Sequence, residues 1–556
     1  MVAPTTRRGR IWCAPVDLAR AIVTQTHWWR SAVIYQVWPR SFADSDGDGI
    51  GDLRGVIGKL DYLSDLGVDA IWLSPFYPSP QVDNGYDISD YQDVDPVFGS
   101  LADFDELVAG LHARGMRLLI DVVVNHTSDQ HPWFVESRTG GDSPKRSWYY
   151  WHEQPANAWT SLFGGPAWRR DEATGGNYLH TFAPEQPDLN WNEPEVRQAV
   201  TELLHWWLDR GVDGFRLDVI SMISKDLDDP DGVLGFGPHL HDYLQELHRG
   251  VFAGRDLVTV GETPGASVEE ALLLSDPARG ELDMVFGFEQ MSLDRGATKW
   301  EPRPLALPTL KRSFEKWQHG LAGGWNALYW DNHDQPRVIS RFGDDGVHRV
   351  ASATTLATVL HLHRGTPFVY QGEEIGMANA GFSSLADYRD LESLNYYDEA
   401  VAAGLPPEQA LAALQRTSRD NARTPMQWDG TATAGFTTGT SWIGLAPDVT
   451  AVNVAAQLHD PQSVLAHYRR LIRLRHDVPA VVHGDFSLLL PDDEQIWAFI
   501  RRWEGTELLV VANFSSYEAM PDLEGWNDGQ LLLGNLPEPG PRLRPWESRV
   551  FQRAVG

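Results

Sequence analysis

Eight short apolar, β-branched runs recur along the chain, separated by stretches with helical spacing. This alternation restricts the fold more than any other feature. The runs are Ala32–Trp38, Val68–Leu73, Met116–Val124, Val212–Leu217, Leu257–Val260, Leu282–Phe288, Asn326–Trp330 and Pro367–Tyr370. Amphipathic segments such as Leu101–Arg114 and Glu195–Arg210 lie between them. Strands alternating with helices build parallel βαβ units. Eight such units predict a closed (β/α)8 TIM barrel of the α/β class rather than an open sheet. In such a barrel the reactive groups stand at the C-terminal ends of the strands, so those positions are read first.

The spacing of the runs is uneven. The chain between Val124 and Val212 is far longer than one helix requires, and residues 127–192 are rich in Trp, Gly, Pro and His. They predict an inserted loop domain after the third strand, with the barrel spanning 28–126 and 193–480. A second excursion runs from Gly372 to about Thr450. Excursions of this length on the catalytic face of a barrel tend to carry function. From Val481 the pattern changes to short strands (Ser487–Leu490, Gln495–Arg501, Leu508–Phe514, Gln530–Leu533 and Arg549–Arg553) without helices between them. That predicts a C-terminal antiparallel β domain over 481–556.

Residues 1–27 read as an N-terminal tail. Arg7 and Arg8 precede no apolar signal region, because Pro15, Asp17 and Arg20 interrupt the stretch after them. No apolar run approaches the roughly 20 residues of a membrane span, so no membrane partner is expected and the protein is placed in the cytoplasm. Lys and Arg number 46 against 77 Asp and Glu, a formal charge of −31, which repels polyanions and argues against nucleic acid as a partner. The single cysteine, Cys13, rules out an intramolecular disulfide framework and argues against a cysteine-based zinc site.

The strand ends carry the chemistry. The third strand ends in Asp121-Val122-Val123-Val124-Asn125-His126, the fourth in Gly214-Phe215-Arg216-Leu217-Asp218 and the fifth in Gly261-Glu262. The seventh runs into Asn332-His333-Asp334-Gln335-Pro336-Arg337. Asp218, Glu262 and Asp334 therefore converge on one mouth, where mutual repulsion splits their pKa values. A retaining glycosidase uses that arrangement: one ionised carboxylate attacks the anomeric carbon and a protonated one serves the leaving oxygen. Arg216 lies two residues before Asp218, and period-two alternation puts both on the barrel's inner face. A guanidinium there favours the ionised form of Asp218. Glu262 has no cation near it in sequence and is the better candidate acid.

Asp44-Ser45-Asp46-Gly47-Asp48-Gly49-Ile50-Gly51-Asp52 places carboxylates at alternate positions with glycine at the sixth. That is the spacing of a calcium loop, with Asp44, Asp46, Asp48, the Ile50 carbonyl and Asp52 as ligands. The twelfth position is Gly55, so the bidentate Glu of an EF-hand is missing.

The four strand-end strings resemble the signature regions of the α-amylase family of glycoside hydrolases. Gln186-Pro187-Asp188-Leu189-Asn190-Trp191 resembles the family's fifth region. The resemblance runs from about Trp28 to the end of the chain. Val82–Asp87, Ser161–Gly165, Asp218-Val219-Ile220 and Ser418–Trp428 point to its oligo-1,6-glucosidase and α-glucosidase branch. It implies exo-acting release of glucose from the non-reducing end of short α-glucosides, with retention of configuration, no catalytic cofactor and a structural calcium in the 44–52 loop. It makes Asp218 the nucleophile, Glu262 the acid/base and Asp334 the residue that grips ring hydroxyls. His126 and His333 would hydrogen-bond the same glucose, and Tyr86 would stack on it. Asp83 would close the pocket with an arginine of the 418–428 string, Arg423 in preference to Arg419. Phe163, Phe182 and Gln186 would flank the pocket from the inserted domain.

In the resembling enzymes Val at the position of Val219 accompanies tolerance of α-1,6 links, so isomaltose-type substrates are expected, with maltose the close alternative. Two other readings compete. A sucrose isomerase or transglucosylase would resolve the same intermediate with a sugar. The loop expected of one, of Arg-Leu-Asp-Arg-Asp type, is here Ser292-Leu293-Asp294-Arg295-Gly296, which lacks the first Arg and last Asp. A non-catalytic transporter subunit would carry a membrane helix and lose the carboxylates.

Overall fold

The computed structural model describes residues 27–523, 525–526 and 529–555. The expected tail with Arg7, Arg8 and Cys13 lies outside them, apart from His27. Strands β1 (Ile34–Val37), β2 (Ala70–Leu73) and β3 (Arg117–Val122) open the barrel. The chain then leaves it for a small sheet of β4 (Trp151–His152), β5 (Trp168–Arg170) and β6 (Asn177–Leu179), ordered β4-β6-β5. It returns for β7 (Gly214–Leu217), β8 (Val258–Glu262), β9 (Met284–Phe286), β10 (Asn326–Leu328) and β11 (Thr366–Tyr370). The barrel closes in the order β1-β11-β10-β9-β8-β7-β3-β2, with every pairing parallel. All eight apolar runs supply its strands. Every residue of β1, β2, β7, β8 and β11 is buried, as for parallel strands covered on both faces.

Helices form where the local chemistry supports them. Leu101–His112 starts at a capping box in which Ser100 accepts from the Asp103 N–H and Asp103 accepts from the Ser100 N–H. Pro194–Asp209 opens on a proline, whose missing N–H costs nothing in the first turn. Inside the barrel, Trp72 of β2 meets Phe286 of β9 and Phe368 of β11, with ring centroids 5.9 and 6.1 Å apart. These strands are not neighbours, so the rings meet across the interior and form an apolar floor. The charged groups of the mouth stand on that floor: the Arg216 guanidinium lies 5.1 Å from the Trp72 ring centroid.

The C-terminal sheet runs β12-β13-β14-β16-β15 and is antiparallel: β12 (Asp485–Leu489), β13 (Ile496–Trp503), β14 (Thr506–Asn513), β15 (Gln530–Gly534) and β16 (Ser548–Ala554). Lys311 on the helix Leu307–Gly320 ties it to the barrel. Its buried ammonium donates to the carbonyls of Leu490, Asp493 and Ile496 at 2.6, 2.7 and 2.9 Å.

Candidate active site

Asp218 directly follows β7 and Glu262 ends β8. Arg216, inside β7, binds both. Its Nη1 lies 2.5 Å from Asp218 Oδ1 and its Nη2 lies 2.6 Å from Glu262 Oε2. The same Nη1 lies 2.5 Å from Asp121 Oδ1 on β3. This corrects the expectation that Arg216 distinguishes the two catalytic candidates. In the β7–β8 register Arg216 sits opposite Val260, and Glu262, two residues on, shares that face. Three buried carboxylates thus share one guanidinium. Burial raises Asp218 well above the usual carboxylate range; Arg216 opposes the shift, while Glu262 and Asp121 add to it. Asp121 is raised by burial too, against Arg216 and His333. Asp218 and Asp121 are therefore harder to ionise than solvated carboxyls.

Val219 stands in the left-handed region, at φ 35° and ψ 42°. A β-branched residue rarely adopts that conformation, and the cost is of order 1–3 kcal/mol. Here it aims the Val219 N–H at Glu262 Oε2, 3.1 Å away. The Val219 side chain lines the pocket.

Asp334 follows β10 in the loop that holds His333. Its carboxylate meets Arg423 Nη2 at 2.9 Å, His333 Nε2 at 3.1 Å and Arg419 Nη1 at 3.2 Å. Burial works to raise its pKa, but His333, Arg419 and Arg423 outweigh it and hold Asp334 well below the usual range. His333 receives Gln36 Nε2 on Nδ1 at 2.8 Å, which leaves Nε2 to face Asp334 and the Tyr86 hydroxyl, 2.7 Å away. Trp38 stacks on His333 at 5.0 Å, Tyr86 lies nearly parallel to it at 5.3 Å, and Trp38 and Tyr86 meet at 6.5 Å, so the three rings form one cluster.

The rear wall is built on Asp83. Its Oδ1 meets Arg419 Nη2 at 3.1 Å and its Oδ2 accepts from Gln186 Nε2 at 3.1 Å. The partner is therefore Arg419, not Arg423 as expected. Arg419 lines the pocket and crosses the Phe163 ring at 5.0 Å. Arg423 is fully buried behind it, bound to the His333 carbonyl, Asp334 and Asp390. Asp390 receives Arg419 as well, at 2.6 and 2.9 Å. Burial lifts Asp83 to about 7; the two arginines oppose the shift and Asp334 adds to it. His126 donates from Nε2 to the Tyr86 carbonyl at 3.1 Å, with Gln186 Nε2 beside the same nitrogen; burial pushes it down to about 4, so it is neutral. Phe182 packs between His126 and Phe163, 5.2 and 5.5 Å away.

These groups enclose a cavity of about 240 Å³. Of the residues expected at the site, Asp83, Tyr86, His126, Phe163, Phe182, Asp218, Val219, Glu262, Asp334 and Arg419 line it. Gln186, Arg216, His333 and Arg423 stand behind the wall. Lys299, Glu392, Phe288 and Met222 also line it, and they belong to no sequence motif. A larger cleft of about 860 Å³ adjoins it across Leu162, Phe163 and Glu392, but none of the three strand-end carboxylates lines it.

The match with known proteins agrees with this geometry. The alpha-amylase family profile, described as the alpha amylase catalytic domain, covers residues 36–484. The chain belongs to the alpha-amylase family. An alpha-amylase-family relative, the oligo-1,6-glucosidase of Parageobacillus thermoglucosidasius, is 50% identical over 554 residues, spanning 94% of this chain and 99% of that protein. The trehalose-6-phosphate hydrolase of Escherichia coli K12 is 47% identical over 548 residues, spanning 94% and 98%. The crystal structure of an isomaltulose synthase variant from Erwinia rhapontici NX5 with sucrose superposes with a TM-score of 0.92 at 40% identity, covering 95% and 99%. Within the alpha-amylase family this chain is a glycoside hydrolase that keeps Asp218, Glu262 and Asp334. Among the described residues no helix is long and apolar enough to cross a membrane.

The 44–52 loop brings carboxylate oxygens of Asp44, Asp46 and Asp48 within 4.8 Å of one another. Burial works against ionisation of Asp44, but the Thr437 hydroxyl and the N–H groups of Gly47, Gly49 and Asp46 hold it below its usual range. Hard anionic oxygens so arranged fit calcium. Asp52 does not join the three. Its Oδ1 caps the helix Leu53–Ile57 through the Gly55 N–H at 2.7 Å, and its Oδ2 takes the Ser45 N–H at 2.7 Å.

Proposed function

We propose that the protein is a retaining, exo-acting α-glucosidase that releases glucose from the non-reducing end of short α-glucosides. The observation that carries this reading is the pair Asp218 and Glu262 bridged by one guanidinium at the bottom of a pocket closed by Asp83 and Arg419. A spacing that one guanidinium bridges suits the roughly 5–5.5 Å of a retaining pair better than the 6.5–9.5 Å of an inverting pair. Double displacement needs the nucleophile ionised, and the Arg216 guanidinium opposes the effect of burial on Asp218 and so favours that form. Asp218 attacks the anomeric carbon and Glu262 protonates the leaving oxygen. The resulting glucosyl ester is hydrolysed by a water that Glu262 deprotonates. Asp334, fully ionised, grips ring hydroxyls and steadies the oxocarbenium-like transition state. The closed rear wall admits only a chain end.

Val219 and the oligo-1,6-glucosidase relatives favour isomaltose-type links alongside maltose. The kinship with isomaltulose synthase supports a second reading, in which a sugar resolves the intermediate. The loop at 292–296 speaks against it, since it keeps only Leu293-Asp294-Arg295 of the expected pattern. Calcium, held by Asp44, Asp46, Asp48 and the Ile50 carbonyl, belongs to this reading as a structural ion. Rates on maltose, isomaltose and sucrose test it, with proton NMR of the first product. Glucose appearing first as the α-anomer supports retention; the β-anomer first overturns it; isomaltulose from sucrose favours the isomerase.

A further inference from the structure

The loop after β10 carries His333 and Asp334, and two buried carboxyl groups outside the pocket hold it. Asp331, 2% exposed, accepts the Val338 N–H on Oδ2 at 2.8 Å and so closes the loop on itself. Glu373, 4% exposed, stands in the turn Glu373–Ile375 after β11, the neighbour of β10. Its Oε1 accepts the Tyr468 hydroxyl at 2.5 Å. Each carboxyl keeps one buried oxygen, Asp331 Oδ1 and Glu373 Oε2, to which no other side chain or backbone group among the described residues donates. The two carboxyl groups hydrogen-bond each other. Two ionised carboxylates cannot do that, because neither has a hydrogen to give. The charges nearby also fit one proton. Arg337 is fully buried and acts on Asp331 through its charge, while its guanidinium donates to the carbonyls of Gln371 and Ala422. One positive charge balances one negative charge, not two. The other groups that face the pair are neutral or already bound. Burial pushes the Tyr370 and Tyr468 hydroxyls up, so both keep their protons. Arg341 is held by Asp294, and Glu374 by the hydroxyls of Tyr35 and Tyr62. His361, against the Tyr468 ring, is pushed down to about 3 by burial and is neutral.

We propose that Asp331 and Glu373 share a single proton and work as positioning residues, fastening the loop of His333 and Asp334 to the end of β11. The inference rests on the α-glucosidase reading only for the task of Asp334. The link runs from Glu373 through Asp331 to the Val338 N–H. Inside the span it closes, Asn332 Oδ1 accepts the Asp334 N–H at 2.8 Å and braces that residue. Burial raises both carboxyl groups above their ordinary range, in line with a retained proton. Loss of the proton sets two buried negative charges in contact beside one guanidinium, and their repulsion releases the loop from β11. A group that grips the transition state tolerates little displacement; a shift of about 1 Å can cost about 10²-fold in rate.

An amide carries its own hydrogen, so Asp331→Asn and Glu373→Gln keep the link without the proton. In the unfolded chain both carboxyls ionise near pH 4. Above that range the wild type takes up one proton as it folds. Its folding constant therefore falls by up to about tenfold per pH unit until the folded pair itself ionises. The melting temperature of either variant minus that of the wild type should climb between about pH 5 and pH 7. A difference that stays flat in both variants overturns the shared proton. Glu373→Ala tests the positioning role, because it cuts the link and leaves Asp331 its bond to Val338. We expect it to lower kcat on maltose or isomaltose by about 10–100-fold, with Glu373→Gln within about threefold of the wild type. Unchanged kcat in Glu373→Ala, or equal losses in the Ala and Gln variants, overturns the positioning role. Should Glu373→Ala fail to fold, Glu373→Met, which fills the space without a polar group, takes its place in the same comparison. A wild type that cleaves no α-glucoside overturns the α-glucosidase reading, while the melting curves still decide the shared proton.

Discussion

The bottom and the rear wall of the pocket use the same residue types to opposite ends. At the bottom, Asp121, Asp218 and Glu262 share one guanidinium, Arg216. Behind, Asp83, Asp334 and Asp390 share two, Arg419 and Arg423. The count of cations decides the outcome. At the bottom, burial wins and Asp218 is pushed up; at the wall, His333 and two guanidiniums reach Asp334 and push it down, while Asp83, which only Arg419 reaches, stays raised by burial. Asp334 is thereby a fixed negative charge that faces the same pocket as Asp218 and Glu262.

The sharpest way to break this contrast is to remove the nucleophile. Asp218→Asn is expected to lower kcat on isomaltose or maltose by on the order of 10⁴-fold or more, measured as glucose release. Full activity in that variant would remove Asp218 from the mechanism. Arg216→Met takes away the cation that three buried carboxylates share. Stripping the partner from buried charges costs about 3–5 kcal/mol, so a clear fall in melting temperature is expected along with loss of activity. The wall separates its two arginines. Arg419→Gln removes charged hydrogen bonds at the pocket surface and should lower kcat/KM by about 10–100-fold, with a fall in melting temperature as well because the buried Asp390 loses its closest partner. Arg423→Gln leaves a buried network unpaired and should act first on the melting temperature. The reverse pattern would restore Arg423 as the residue that touches sugar.

A smaller effect sharpens the contrast through pH. The Asp83 carboxyl titrates at about 7 in the folded protein and near 3.9 unfolded. Folding therefore favours its protonated form; that contribution is complete below about pH 4 and is lost as pH rises to about 7. Asp334 has the opposite sign, and its contribution is lost only in acid as pH falls below the usual carboxylate range. The melting temperature of Asp83→Asn minus that of the wild type should climb from pH 5 to pH 7 and then level off. A flat difference would contradict the raised Asp83. The smallest effect is at the 44–52 loop, where removing calcium with a chelator should lower the melting temperature by a few degrees and leave kcat at 25 °C unchanged.

Features are legible in the sequence where the contacts behind them have a period. The barrel strands show as apolar runs, and Arg216 and Asp218 share a face because alternation is local. Asp121 facing Arg216 depends on the β3–β7 register, which pairs residues 95 apart in the chain. The reach of Arg216 to Glu262 depends in the same way on β7–β8, so sequence neighbours alone assign the cation to one carboxylate. The choice between Arg419 and Arg423 is not legible, because the single 3-10 turn Arg419–Asn421 after the helix Pro407–Thr417 is too short to show a period that says which side chain points at the pocket. Asp390, which anchors both arginines, caps the start of the helix Leu391–Ala402 and belongs to no motif. Asp52 fits the calcium spacing, yet its carboxylate is claimed by the helix it caps.

The most direct test of the central claim is to trap the intermediate. A glucosyl fluoride carrying a second fluorine at C5 slows the oxocarbenium-like steps, hydrolysis of the enzyme ester most of all. After brief incubation and acid quench, peptide mass spectrometry should find one fluoroglucosyl group per chain, on the peptide that holds Asp218, and none on the Asp218→Asn variant. A label on Glu262, or turnover with no labelled peptide, would contradict the account.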